Sequence, residues 1–119
     1  MSNSNIQRLN STNVMSSTTI HNGIVYLSGQ IPKINSNCIK AQTLNVLETI
    51  DSLLVQANSN RNNILNAQIF LRNIEDFSVF NEVWIDWLNG YDKPSRATIQ
   101  AVLANPEWLI EIAIIATQR

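Results

Sequence analysis

With a single cysteine, Cys38, the chain can close no internal disulfide and build no cysteine-based metal site. It has one histidine, His21, and no His/Cys cluster, so no metal is expected. A Ser-His-Asp triad would have to use that His21, which stands directly before a turn signal. There is no glycine-rich phosphate loop and no G-x-S-x-G elbow among only three glycines. Basic runs are missing too, and the net charge is −1. Both features argue against a phosphate-backbone binder, whose affinity comes from clustered Lys and Arg. The longest apolar runs are a few residues, too short to span a bilayer. Residues 1–10 lack the apolar core of a signal peptide. A cytoplasmic, metal-free protein is the expectation, with 1–119 as one domain and 1–5 frayed.

Charge itself is scarce. Only 14% of the residues are charged, against about 25% in typical domains. Seventeen asparagines fill much of that gap, so the polar surface is largely neutral amide. What remains is an ordinary apolar content of 45%.

The apolar residues fall into regular patterns. Ser16 to His21 and Ile24 to Ser28 are strand-like, and Asn22-Gly23 between them favours a type I′ hairpin turn. A loop follows from Gly29 to about Asn37. Ile39 to Asn58 reads as a helix with an apolar stripe of Leu44, Leu47, Ile50, Leu54 and Ala57. Ile64 to Leu71 alternates, with Leu65, Ala67, Ile69 and Leu71 on one face. Ile74 to Asn89 reads as a second helix with Phe77, Phe80, Trp84 and Trp87 or Leu88 as its stripe. Asn73 is its candidate cap and Gly90 its terminator. Strands are expected over Arg96 to Ala104 and Trp108 to Thr117, divided by Asn105-Pro106. The order is two or three strands, helix, strand, helix, strand, strand. That predicts an α+β fold, a sheet with two helices packed on one face.

The last strand carries a further signal. Ile110, Ile112, Ile114 and Ala116 take one face, and Leu109, Glu111, Ala113 and Ile115 the other. Both faces are mostly apolar, yet two helices cover only one. Either an oligomer covers the second face or the sheet curls over itself.

Two charged residues bear on chemistry. Arg96 opens a strand, and its planar fork can pair bidentately with a carboxylate; the plainer alternative is a strand-edge arginine in a weak surface salt bridge. Glu111 shares its face with Leu109, Ala113 and Ile115. A carboxylate in that company loses hydration and suits general acid–base work, or else pairs with a cation at an interface.

Four segments together resemble one family. Ser28-Gly29-Gln30-Ile31-Pro32 is similar to the S-G-Q-I-P segment of the Rid (RidA/YjgF-like) reactive intermediate deaminases. Asp76-Phe77-Ser78-Val79-Phe80-Asn81 resembles the family's D-F-x-x-[VM]-N. Pro94-Ser95-Arg96-Ala97-Thr98 resembles its P-[AV]-R-[SAC]-[CT], and Ile110-Glu111-Ile112-Ala113 its closing strand. The segments stand in the family's order from about Asn10 to Gln118, and Asn105-Pro106 resembles a turn of its short-chain, YoaB-like branch.

The resemblance implies a chorismate-mutase-like fold and a homotrimer with clefts between subunits. It implies cofactor-independent hydrolysis of 2-imino acids or their enamine tautomers to 2-keto acids and ammonia. It casts Arg96 as the substrate-carboxylate anchor and Glu111 as the residue that positions or activates water. Thr98, Ser28 and Asn81 match substrate-binding positions. Two residues depart from the archetype: Met15 replaces a tyrosine that reaches the cleft, and Thr98 stands where many members have cysteine. A trimer that binds a small carboxylate metabolite without turnover is the alternative. An RNA-cleaving role, a label some relatives carry, is disfavoured by the charge.

Overall fold

A computed structural model describes residues 5–119; of the 1–5 segment expected to fray, 1–4 lie outside the described residues. The described strands are β1 (Gln7–Leu9), β2 (Thr18–His21), β3 (Ile24–Leu27), β4 (Ile64–Leu71), β5 (Ser95–Gln100) and β6 (Ile110–Thr117). The helices are α1 (Ile39–Gln56) and α2 (Phe77–Trp87). The strands form one mixed sheet in the order β1-β2-β3-β6-β4-β5. Only β4 and β5 pair in parallel; the other neighbours are antiparallel. Asn22 and Gly23 both have positive φ, 52° and 77°, as the expected type I′ turn requires. β1 supplies the third N-terminal strand that the sequence left open.

Both helices lie on one face. The core joins Val46, Leu47, Ile50 and Leu54 of α1 and Phe80, Val83, Trp84 and Trp87 of α2 to the sheet. The sheet contributes Ala67, Ile69 and Leu71 from β4 and Ile110, Ile112, Ile114 and Ala116 from β6. No helix among the described residues is long and apolar enough to cross a membrane.

Several expectations change. Leu44 is 50% exposed, while Gln42, Thr43 and Val46 are buried in its place. Successive helical residues advance by about 100°, so the buried face centres between Thr43, Val46 and Ile50, and Leu44 falls off its edge. Both of these buried polar side chains on α1 are satisfied. Gln42 Nε2 donates to the Ser36 and Glu107 carbonyls (2.6 and 3.0 Å), and its Oε1 accepts from Leu109 N–H (2.8 Å). Thr43 Oγ1 donates to the Ile39 carbonyl at 2.8 Å.

On β4, Leu65 is 48% exposed and Ile64 is buried instead. A register shift against β6 between Ile64 and Asn66 breaks the alternation there. The second helix begins as a 3₁₀ turn, Ile74–Asp76, with no side-chain bond from Asn73, and its α-helical part stops at Trp87. β5 ends at Gln100 rather than Ala104, and β6 starts at Ile110 rather than Trp108. Arg72 holds the chain between them as an irregular loop, donating to the Trp108 and Asn105 carbonyls (both 2.7 Å).

The second face of the sheet is open in one copy of the chain. The alternate residues of β6, Glu111, Ala113 and Ile115, are half-buried. Tyr26 stands opposite Ile115, and Ile99 lies on the same face one strand further on, across β4; each is substantially exposed. The sheet has not curled over this face: its order runs from one edge, β1, to another, β5.

Candidate active site

Arg96 is placed by strand register. Ser95 Oγ donates to the Leu65 carbonyl and accepts from Asn66 Nδ2, both at 3.0 Å, which fastens the start of β5 to β4. Arg96 then stands opposite Ala67, a residue of the helix-covered face. Its side chain therefore runs toward α2. There the i, i+3, i+4 and i+7 positions Phe77, Phe80, Asn81 and Trp84 share one side of the helix. The guanidinium carbon lies 5.6, 5.4 and 5.7 Å from the ring centres of Phe77, Phe80 and Trp84. Each distance is within the range where an aromatic face attracts a cation.

One hydrogen bond fixes the fork: Arg96 Nη1 donates to Asn81 Oδ1 at 2.7 Å. A guanidinium has only donors, so the Asn81 oxygen must face it, and its Nδ2 remains a donor beside the arginine. No carboxylate among the described residues lies within 4 Å of Arg96; the one described ion pair joins Arg61 to Asp51. Burial without a compensating anion lowers the Arg96 pKa from its ordinary value. This is a charged fork with unassigned donors and no counter-charge among the described residues.

Thr98 adds a backbone donor. Its Oγ1 is buried and has no partner, so the hydroxyl is turned into the protein. Its N–H is oriented differently. Ala101 N–H donates to the Leu71 carbonyl of β4 at 2.9 Å. Donors alternate in direction along a strand, which turns the Thr98 N–H, three residues earlier, to the free edge of the sheet.

Glu111 lies elsewhere. On β6 it stands opposite Phe70 of β4 and projects from the open face, whereas its neighbours Ile110 and Ile112 point to the helices. Its carboxylate rests against Gly29, where a Cβ would collide with the Glu111 side chain. The missing side chain of Gly29 is the space the carboxylate occupies. Gly29→Ala is therefore expected to destabilise the fold by about 1–3 kcal/mol. In the Glu111→Ala background most of that cost should vanish. Urea unfolding of the four proteins checks this, and equal costs in both backgrounds would show that the methyl is accommodated.

Ser28 flanks Gly29, and its carbonyl and Oγ both accept from Gln30 Nε2, at 2.9 and 3.2 Å. Gln30 is buried, and its backbone bridges to Ile112.

The predicted residues thus form two groups. Arg96, Asn81 and Thr98 gather at the β5 edge beside α2. Ser28 and Glu111 gather around Gly29. Arg96 and Glu111 project from opposite faces, with β4 between their strands, so they do not meet within one copy of the chain. Met15, at the archetype's tyrosine position, is 58% exposed on a turn closed by Thr12 N–H and the Met15 carbonyl (2.8 Å).

Sequence reasoning missed Gln30, whose role needs the fold to bring its amide back to Ser28. It also read Phe77, Phe80 and Trp84 as core alone; their spacing gave no sign that a cation would sit on them. A separate concavity of about 540 Å³ is lined by Asn35, Ser36, Asn37, Pro106, Glu107 and Leu109, and none of the predicted site residues lines it.

The chain matches the family model described as Endoribonuclease L-PSP over residues 5–118. A RutC family protein of Haemophilus influenzae is 45% identical over 114 residues, covering 94% of this chain and 97% of the relative. The RutC family protein YoaB of Escherichia coli is 36% identical over 111 residues, covering 93% and 96%. A member of the YjgF protein family from Neisseria meningitidis has a similar structure, with a TM-score of 0.94 and 36% identity over 98% of this chain and 97% of that one. A Rid-family protein from Yersinia pestis follows at a TM-score of 0.85 and 34% identity, covering 90% of each chain. Sequence, fold and the four motifs agree, and the chain belongs to the Rid/YjgF family, also described as Endoribonuclease L-PSP.

Proposed function

We propose that this protein is a cytoplasmic, cofactor-independent deaminase that hydrolyses 2-imino acids, or their enamine tautomers, to 2-keto acids and ammonia. The observation that carries this reading is the caged Arg96 fork, which has donors to spare and no carboxylate beside it among the described residues. Asn81 Nδ2 and the edge-facing Thr98 N–H add neutral donors nearby. Such a set suits a carboxylate, which accepts through two oxygens.

The reading includes a chorismate-mutase-like homotrimer. The apolar open face around Tyr26, Ala113, Ile115 and Ile99 supports burial between copies. So does the placement of Arg96 and Glu111 on opposite faces, because a second copy can bring one chain's Glu111 to another chain's Arg96.

The chemistry is modest. A protonated imine carbon is already electrophilic. Binding the carboxylate fixes that carbon relative to one water, and orientation supplies much of the rate gain. Water adds to the carbon while Glu111 takes one of its protons. The carbinolamine then collapses: Glu111 returns the proton to nitrogen, the C–N bond breaks as the hydroxyl gives its own proton to Glu111 and becomes the keto oxygen, and ammonia takes that proton and leaves as ammonium.

Imino acids released by an amino acid oxidase from L-leucine or L-methionine test this directly. Wild-type protein should compete with semicarbazide for the imine, and light scattering should give a trimer mass. No competition with any amino acid tried would favour the second reading, a trimer that holds a carboxylate metabolite without turnover. Met15 and the inward Thr98 hydroxyl support that alternative, since both remove polar groups from the site. An RNA-directed role finds little support in a chain of net charge −1.

A further inference from the structure

We infer that Gln30 is a positioning residue that fixes Ser28 as a hydrogen-bond donor toward the reacting oxygen. The inference rests on the proposal that Ser28 and Glu111 line the site.

The orientation of the Gln30 amide follows from chemistry. Its terminal group lies 2.9 Å from the Ser28 carbonyl, which can only accept, so the atom there must be Nε2. The same Nε2 lies 3.2 Å from Ser28 Oγ and donates to it. One lone pair of the hydroxyl is thereby occupied, and the hydroxyl hydrogen must point away from Gln30. No described residue accepts that hydrogen. Burial of Gln30 and its two-way backbone bridge to Ile112 (2.8 and 3.0 Å) hold the arrangement rigid.

The consequence concerns polarity. At the next position the Glu111 carboxylate, an acceptor, lies over Gly29. The site therefore presents a donor and an acceptor along neighbouring backbone. A ligand oxygen that gives a proton to Glu111 and takes a hydrogen bond from Ser28 satisfies both. Attacking water does this, as does the carbinolamine oxygen it becomes. Without Gln30 the Ser28 hydroxyl can rotate and offer a lone pair instead, which does not bind that oxygen's lone pairs. Ser28 thus acts on the chemical step, and Gln30 acts through Ser28.

A double-mutant cycle tests this with imino acids released from L-leucine by an amino acid oxidase. Ser28→Ala should lower kcat about tenfold to a hundredfold with little change in KM. Gln30→Met should lower kcat about fivefold to tenfold in the otherwise wild-type protein, and by less than about twofold in the Ser28→Ala background. Circular dichroism melting checks that each variant folds. If Gln30→Met does not, Gln30→Glu serves. Above its pKa, which burial raises, its carboxylate offers only acceptors, turns the Ser28 hydrogen inward, and should reduce kcat as much as Ser28→Ala does. Additive losses, or full activity in Gln30→Glu, would overturn the role of Gln30. If the wild-type protein does not compete with semicarbazide for any imine tried, the deaminase reading itself falls and takes this inference with it. An additive cycle in a protein that Arg96→Ala inactivates would sink the inference alone.

Discussion

Arg96→Lys is expected to lower kcat/KM for imino acid hydrolysis by about a hundredfold or more, although it keeps the charge. The guanidinium lies among the rings of Phe77, Phe80 and Trp84 and is tied by Nη1 to Asn81 Oδ1. A lysine ammonium is a compact point charge on a flexible stem, with no second donor at a fixed angle. It would grip a carboxylate without fixing the direction of the C=N carbon, so the attacking water would lose its alignment. Activity within about threefold of wild type would end the anchoring role.

Stability gives an independent reading. Arg96 is partly desolvated and has no described counter-anion, so its charge adds little to folding. Arg96→Met should therefore unfold at the same urea concentration as wild type or higher, while losing activity. A marked loss of stability would mean that the residue is there to hold the fold. High stability with no activity is the pattern of a group kept for its ligand.

Mixing two inactive proteins should restore activity. Arg96→Ala and Glu111→Gln are each expected to be nearly dead, the first for want of an anchor and the second for want of a base. If each site takes Arg96 from one copy and Glu111 from the next, a Glu111→Gln subunit next to an Arg96→Ala subunit rebuilds one intact site. Every mixed trimer, whether two-to-one or one-to-two, has that arrangement at one of its three interfaces, so mixed trimers should recover about a third of wild-type activity. Co-expression with two purification tags, followed by the semicarbazide assay, measures it. Mixed trimers as inactive as either parent would place both groups in one chain's site. The structure of one copy makes that hard to arrange, because the two residues project from opposite faces of the sheet.

Much of this was legible from residue patterns, because those patterns are local. Period-two alternation in Ile110–Thr117 located β6 and both its faces. Asn22-Gly23 located the hairpin because few other pairs accept positive φ at both positions. The register of four motifs singled out Arg96, Asn81, Ser28 and Glu111. The errors were local as well. Leu44 and Leu65 are apolar and fit their stripes, but a helix face's centre and a bulge are set by what packs opposite, which a stripe does not encode.

The two halves of the candidate site show where pattern reading stops. The order of elements, the presence of two helices, the doubly apolar last strand and the identity of the charged candidates can be read from the residues in line. All of these depend on spacing along the chain. It takes the folded chain to bring Arg96 to α2's aromatic stripe, to set Glu111 in the room left at Gly29, to fold Gln30 back on Ser28, and to part Arg96 from Glu111 across the sheet. Each of these depends on strand order and register, which join residues far apart in the chain. A strand of given pattern can pair with several neighbours and turn either face to the helices; packing the whole core chooses one arrangement, and the chemistry takes its geometry from that choice.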